Sequence, residues 1–261
     1  MKNRIDNRFA QLRSARRKGF IPYICAGDPS LKRTVDLAFA LEQSGADLLE
    51  LGLPFSDPLA DGIVNQLASQ RSLTAGTTIH GVLDCVREIR KKSQTPIVLY
   101  SYLNPIFQFG ADEFHREAEV AGVDGLLILD LPPEEDVDLP QTNVPHIRLI
   151  APTTPADRIK KIAKNARGFL YYVSREGVTG AQQSIARSLP EKIAEVRAVS
   201  DLPVAVGFGI SNANQAREVT QHADAIVVGS AIVDLISKHG DKPAMIEKVG
   251  AFAKTLADAV H

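Results

Sequence analysis

The sequence predicts a single α/β domain, a (β/α)8 TIM barrel, and three observations predict it. Eight short apolar runs alternate with amphipathic helical stretches from end to end. Most of these runs are continuous in Val, Ile and Leu, as parallel strands covered on both faces are. The length, 261 residues, is about what one such barrel uses. A doubly wound open sheet is the alternative, but no Gly-rich dinucleotide turn follows the first run.

The elements follow in order. Ile5, Phe9 and Leu12 form an amphipathic stripe that predicts an extra N-terminal helix. The strand candidates are 20–25, 47–51, 96–100, 125–129, 147–151, 168–173, 203–206 and 225–228. After the first, Asp28-Pro29-Ser30 is a helix-start signal ahead of Leu31, Val35, Ala38 and Leu41. After the fourth comes LPPEEDVDLPQTNVP (131–145), whose four prolines allow at most one short helical turn, so the fourth helix is shortened. After the sixth, a helix is predicted from Pro190, with Ile193, Val196 and Arg197 behind it. No linker, low-complexity stretch or convincing repeat interrupts the chain, so residues 1–261 are read as one domain.

Composition removes several classes of function. The chain is 44% hydrophobic and 23% charged, ordinary for a soluble globular protein. A net charge of −1 and a pI near 6.6 argue against nucleic acid and anionic membranes. No apolar run spans a bilayer, and the basic Arg13, Arg16, Arg17 and Lys18 precede no signal-peptide core. Cys25 and Cys85 lack paired spacing and read as buried thiols in a reducing compartment, so the expectation is cytoplasmic.

The segment most informative about chemistry is DLLELGLPFSDPLADG (47–62). It sets Glu50 inside an apolar run and Asp61 eleven residues later, after a loop. A strand does not carry a buried carboxylate without a reason, because an unpaired buried charge is costly. Two carboxylates at one strand mouth can hold different pKa values, which suits acid and base work near neutral pH. The structural alternative is an internal salt bridge for Glu50 and a helix cap for Asp61.

A barrel's active site lies at the C-terminal ends of its strands. There the chain places Gly207-Phe208-Gly209 after the seventh strand, Gly229-Ser230-Ala231 after the eighth, and Gly177-Val178-Thr179-Gly180 after the sixth. Glycine lets a backbone approach an anion, and helix N-termini present free N–H groups, so a phosphate ligand is expected. No lysine lies in or just after a strand candidate, which disfavours Schiff-base chemistry. The six histidines are scattered and read as surface or structural, so no metal site is expected. No Gly-x-Ser-x-Gly elbow is present. Carboxylate acid/base chemistry on a small phosphorylated substrate remains. Tyr23, Tyr100, Tyr102, Tyr171 and Phe208 sit near strand ends, where they either line a flat pocket or fill the core.

Seven motifs carry a family resemblance: IPYICAGDPS (21–30), LLELGLPFSDPLADG (48–62), PIVLYSYLNPIF (96–107), GVDGLLILDLPPEE (122–135), GFLYYVSREGVTGA (168–181), VGFGIS (206–211) and VGSAIV (228–233). Over essentially its full length the chain resembles the α subunits of tryptophan synthase. The resemblance implies a cofactor-free lyase that cleaves indole-3-glycerol phosphate to indole and glyceraldehyde 3-phosphate. It also implies a pyridoxal-phosphate-dependent β subunit as partner, in an αββα complex that passes indole through a tunnel. By that resemblance Glu50 is the general acid/base and Asp61 accepts the indole N–H. Tyr171 supports Glu50, and Thr179 bonds Asp61 when the loops close. Gly180, Gly209, Gly229 and Ser230 cradle the phosphate. Phe20, Tyr100, Tyr102 and Phe208 line the indole pocket. Asp57, Pro58, Asn104 and Pro132 face the β subunit. A stand-alone indole-releasing lyase and a weakly active activator of the β subunit are the alternatives.

Three departures from the family pattern stand out. Ile63 replaces a usual proline, Glu176 a usual small residue, and the stretch 133–145 is short. The stretch 174–188 reads as a lid that closes on the loop 54–61 through Thr179 and Asp61, with Glu176 working against closure.

Overall fold

The computed structural model describes residues 3–138, 140, 142–173, 189–207 and 209–261, with the side chains of 136–138 excepted. Its eight strands are β1 (Gly19–Cys25), β2 (Leu49–Gly52), β3 (Ile97–Ser101), β4 (Gly125–Ile128), β5 (Arg148–Ile150), β6 (Leu170–Val173), β7 (Val204–Gly207) and β8 (Ala225–Val228). Their pairing is all parallel, in the order β4-β3-β2-β1-β8-β7-β6-β5. Between β4 and β5 the ring closes through one bridge, Leu126 to His146. There the Leu126 N–H donates to the Pro145 carbonyl (2.9 Å) and the Ile147 N–H to the Leu126 carbonyl (2.7 Å).

The helices fill the expected places. The first, α1 (Arg4–Ala15), buries Ile5, Phe9 and Leu12, and Asn3 caps it by accepting from the Asp6 N–H. These three side chains pack with the inner layer of the barrel at its N-terminal end. The next, α2 (Leu31–Gln43), starts at Ser30, whose hydroxyl accepts from the Arg33 N–H. Between β2 and β3 lie α3 (Ile63–Thr74) and α4 (Ile79–Arg90); between β3 and β4, α5 (Leu103–Phe109) and α6 (Ala111–Ala121). The proline-rich stretch after β4 forms only a 3-10 turn, Pro133–Asp138. The ring continues with α7 (Ala156–Lys164), α8 (Leu189–Arg197), α9 (Ala213–Thr220), α10 (Ser230–His239) and α11 (Ala244–Val260). None of these helices is long and apolar enough to cross a membrane.

Strand parity decides which residues see the barrel interior. Successive strand side chains point to opposite faces. In β1, Ile21, Tyr23 and Cys25 join the inner cluster, whereas Phe20 and Ile24 join the outer one under the helices. In β2, Leu49 and Leu51 pack outward, so Glu50 faces in. In β3, Val98 and Tyr100 face in and Ile97 and Leu99 out. A carboxylate is thus held inside the barrel because its two neighbours fill the outer layer.

The N-terminal face carries a repeated device that the sequence reading did not find. Asp47, Asp124 and Asp224 each immediately precede or lead into an even-numbered strand. Each accepts the N–H of a residue in an adjacent strand: Phe20 (2.7 Å), Ile97 (2.8 Å) and Val204 (2.9 Å). Each also meets a cation. Arg8 and His261 reach Asp47, Arg4 and Arg90 reach Asp124, and Arg197 reaches Asp224.

Candidate active site

At the opposite end of β2, Glu50 is 2% exposed, and its Oε1 has no hydrogen-bond partner among the described residues. Burial, with a smaller contribution from the nearby Asp61 charge, pushes its carboxyl up to about 8. At neutral pH Glu50 therefore holds its proton and can donate it.

Asp61 reaches the same space from the loop after β2. That loop is tied by its own backbone: the Asp61 N–H donates to the Pro58 carbonyl (3.0 Å) and the Leu59 N–H to the Asp57 carbonyl (2.9 Å). The Asp61 carboxylate, 3% exposed as a residue, accepts from Tyr100 Oη (2.7 Å), Tyr102 Oη (2.9 Å) and Asn65 Nδ2 (3.4 Å). Burial raises its pKa, and these three donors oppose the rise. The two carboxylates thus differ in hydrogen bonding, and the difference favours the proton on Glu50 and the charge on Asp61.

Aromatic residues surround the pair. Tyr23 lies across from Glu50 in the β1–β2 register, and its ring meets Tyr100 edge-on at 5.1 Å. Tyr171 on β6 is buried, and burial, with smaller contributions from Glu50 and Asp61, raises the pKa of its hydroxyl. Two glycines make room for these phenols. A Cβ on Gly52 would lie 2.3 Å from Tyr23 Oη, and one on Gly207 would lie 2.1 Å from Tyr171 Oη. Tyr102 caps the mouth, with its ring 5.3 Å from that of Phe55.

The structure corrects one expected contact. Phe20 lies at the start of β1 on the outward parity, fully buried in the outer cluster, and its N–H bonds Asp47 at the far end of the barrel. Tyr23, three residues further on and therefore inward, occupies the place expected of Phe20. Counting parity from Glu50 through the β1–β2 register separates the two. Tyr100 and Tyr102 do reach the site, and their bonds to Asp61 were not foreseen.

Across the mouth, Gly229 and Ser230 begin α10 directly after β8, and no side chain caps that helix. The Ile232 and Val233 N–H groups already donate to the Gly229 carbonyl (2.9 and 3.0 Å), and an uncapped helix start of this kind can take an anion. Gly209 adopts φ +84°, the left-handed region that glycine reaches without strain. By contrast Asn212 caps α9. Thr179, Gly180, Glu176 and the predicted lid 174–188, together with Phe208, lie outside the described residues. Asp57, Asn104 and Pro132 are exposed and Pro58 is half-buried. Leu59, Ile63 and Phe107 on the same loops and helix starts are 76%, 65% and 70% exposed. Cys25 and Cys85 are free and buried.

Comparison with known proteins agrees with this geometry. Residues 9–261 match the family model described as tryptophan synthase alpha chain. The tryptophan synthase alpha chain of Opitutus terrae is 49% identical over 259 residues, covering 97% of each chain. That of Geobacter sp. strain M21 is 45% identical over 262 residues, covering 99% of this chain and 98% of the relative. Among solved structures, tryptophan synthase subunit alpha from Legionella pneumophila superposes with a TM-score of 0.88 at 40% identity, covering 100% and 99% of the two chains. A chain of Mycobacterium tuberculosis tryptophan synthase gives 0.89 at 32% identity, covering 100% and 99%. A barrel with two differently held carboxylates at its mouth, matched over nearly its whole length at this identity, belongs to the tryptophan synthase alpha chain family.

Proposed function

We propose that Glu50 and Asp61 carry out the family's lyase reaction, the retro-aldol cleavage of indole-3-glycerol phosphate to indole and glyceraldehyde 3-phosphate. The observation that carries the assignment is Glu50 itself, a buried carboxyl at a strand end that keeps its proton to about pH 8. Protonated Glu50 delivers its proton to indole C3, the nucleophilic ring carbon. The ring nitrogen becomes cationic, and ionised Asp61 accepts its N–H and stabilises the charge. The carboxylate left on Glu50 then takes the proton of the hydroxyl on the carbon joined to the ring. As the C–C bond breaks, its electron pair returns to the indole ring and the side chain leaves as the aldehyde. Glu50 ends protonated, so the cycle closes without a co-reactant.

The open N-terminus of α10, with Gly229, Ser230 and Gly209, takes the substrate phosphate. Tyr23, Tyr100, Tyr102 and Tyr171 surround the indole. Thr179, Gly180 and Phe208 are assigned to the site on the family pattern. The exposed apolar residues around Asp57, Pro58, Asn104 and Pro132 support docking of a β subunit, and the chain is assigned to the cytoplasm. Indole release from indole-3-glycerol phosphate by wild type and Glu50→Gln, each with and without a β subunit, tests the assignment. Wild-type turnover by a folded Glu50→Gln protein would sink it.

A further inference from the structure

Asp61 sits on a loop, yet the reaction needs its charge in one place. Its oxygens are held from three other elements, and the donors are not equivalent. Asn65 on α3 is distant, at 3.4 Å. Tyr102 Oη donates to Asp61 but also accepts the Ala60 N–H (3.0 Å), so it serves the loop backbone as well. Tyr100 Oη has one partner among the described residues, Asp61 Oδ1 at 2.7 Å. Tyr100 itself is fixed. It is 5% exposed, paired across to Gly52 in the β2–β3 register, and wedged against the ring of Tyr23.

No cation faces Asp61 among the described residues. The groups around it are Tyr23 and Cys25 on β1, Glu50 on β2, Tyr100 at the end of β3, Tyr102 beyond it and Tyr171 on β6. All are acids or neutral donors, so hydrogen bonds alone sustain the ionised carboxylate. Hydrogen bonding to the charged form of an acid favours that form. A short phenol–carboxylate bond from a rigid strand is the strongest such interaction here.

We propose that Tyr100 is a positioning residue for the lyase reaction: its hydroxyl, anchored on β3, holds Asp61 ionised and fixed beside Glu50. Tyr100 therefore acts through Asp61, beyond lining the ring pocket. The proposal rests on the role given to Asp61 above. Without the Tyr100 hydroxyl, the ionisation of Asp61 approaches that of Glu50, and the single proton is no longer confined to the donor.

The test is Tyr100→Phe, which keeps the ring and removes the hydroxyl. At pH 7 its kcat should fall about ten-fold or more while KM stays within about two-fold. The acid limb of its kcat profile should move to higher pH. In an Asp61→Asn background the same substitution should cost almost nothing further, because the group it acts through is gone. Tyr102→Phe should raise KM as well, since it also frees the Ala60 N–H. A 13C carboxylate titration of Asp61 in the substrate-free protein reads the contact without catalysis, and its midpoint should rise in Tyr100→Phe. An unchanged Asp61 midpoint, an unchanged kcat profile, or full additivity with Asp61→Asn would each overturn the proposal. A raised midpoint alongside an active Glu50→Gln enzyme would uphold the contact and reject the lyase assignment instead.

Discussion

The aspartates of the N-terminal face and the Glu50–Asp61 pair at the C-terminal end are carboxylates held in opposite ways. At the N-terminal end Asp47, Asp124 and Asp224 each meet a cation and a strand N–H. At the C-terminal end Glu50 and Asp61 meet no cation among the described residues; Asp61 has phenol donors, and one Glu50 oxygen has no partner. Burial alone therefore does not mark function in this molecule. What marks it is burial without counter-charge, because that alone leaves a carboxyl able to hold and release a proton near neutral pH. A paired carboxylate instead locks elements together, as the three aspartates do at the N-terminal face and as Asp28 does with Arg71 beyond β1.

The largest test of this contrast is Glu50→Gln. It should lower lyase turnover by about 10³-fold or more with the fold intact by circular dichroism, since an amide cannot carry the proton. Asp61→Asn should follow, with kcat down by about 10²-fold and a smaller effect on KM, because it removes charge stabilisation of the ring cation. Asp124→Asn should do the reverse. Denaturant unfolding should show a loss of about 3 kcal/mol, because Arg4 and Arg90 are left without their anion, while turnover per folded molecule stays near wild type. Equal losses of activity in Asp124→Asn and Asp61→Asn would erase the distinction between the two ends.

Smaller effects sharpen it. Ser230→Asp should raise KM about ten-fold or more with little change in kcat, since a carboxylate at the α10 N-terminus competes with the phosphate. Inorganic phosphate binding as tightly as in wild type would move the anion site elsewhere. The smallest effect is on stability against pH. Glu50 holds its proton to about 8 in the folded chain, against an ordinary value of 4.5. Its contribution to stability is thus complete below about 4.5 and is lost as pH rises through about 8. Glu50→Gln has no proton to lose, so its Tm relative to wild type should rise by about 5 °C between pH 5 and pH 8.5. A pH-independent difference over this range would mean that burial does not hold the proton on Glu50.

Much of the molecule was legible in the sequence. Alternating apolar runs and helical stripes specify eight β/α units, because each element must bury one face against the others. Four prolines between Asp130 and His146 rule out a fourth full helix, and a 3-10 turn forms instead. Glu50 and Asp61 announce themselves because a carboxylate in or beside an apolar strand is costly.

The inside and outside of the barrel were not legible, and only the tertiary structure decided them. Parallel strands buried on both faces read as unbroken apolar runs, so their text carries no parity signal. Nothing in that text shows that Phe20, which the resemblance puts in the pocket, points outward at the far end while Tyr23 fills the place. The partners of the carboxylates were equally hidden. Tyr100 and Tyr102 lie 39 and 41 residues from Asp61 in the chain. His115 and His146, read as scattered, meet ring to ring with their Nε2 atoms 3.0 Å apart. By itself the sequence determined which elements form and which two acids stand at the mouth, since local pattern and the cost of buried charge act along the chain. Closing the barrel decided which side chains meet those acids, because strand register and parity bring together residues that local pattern cannot relate.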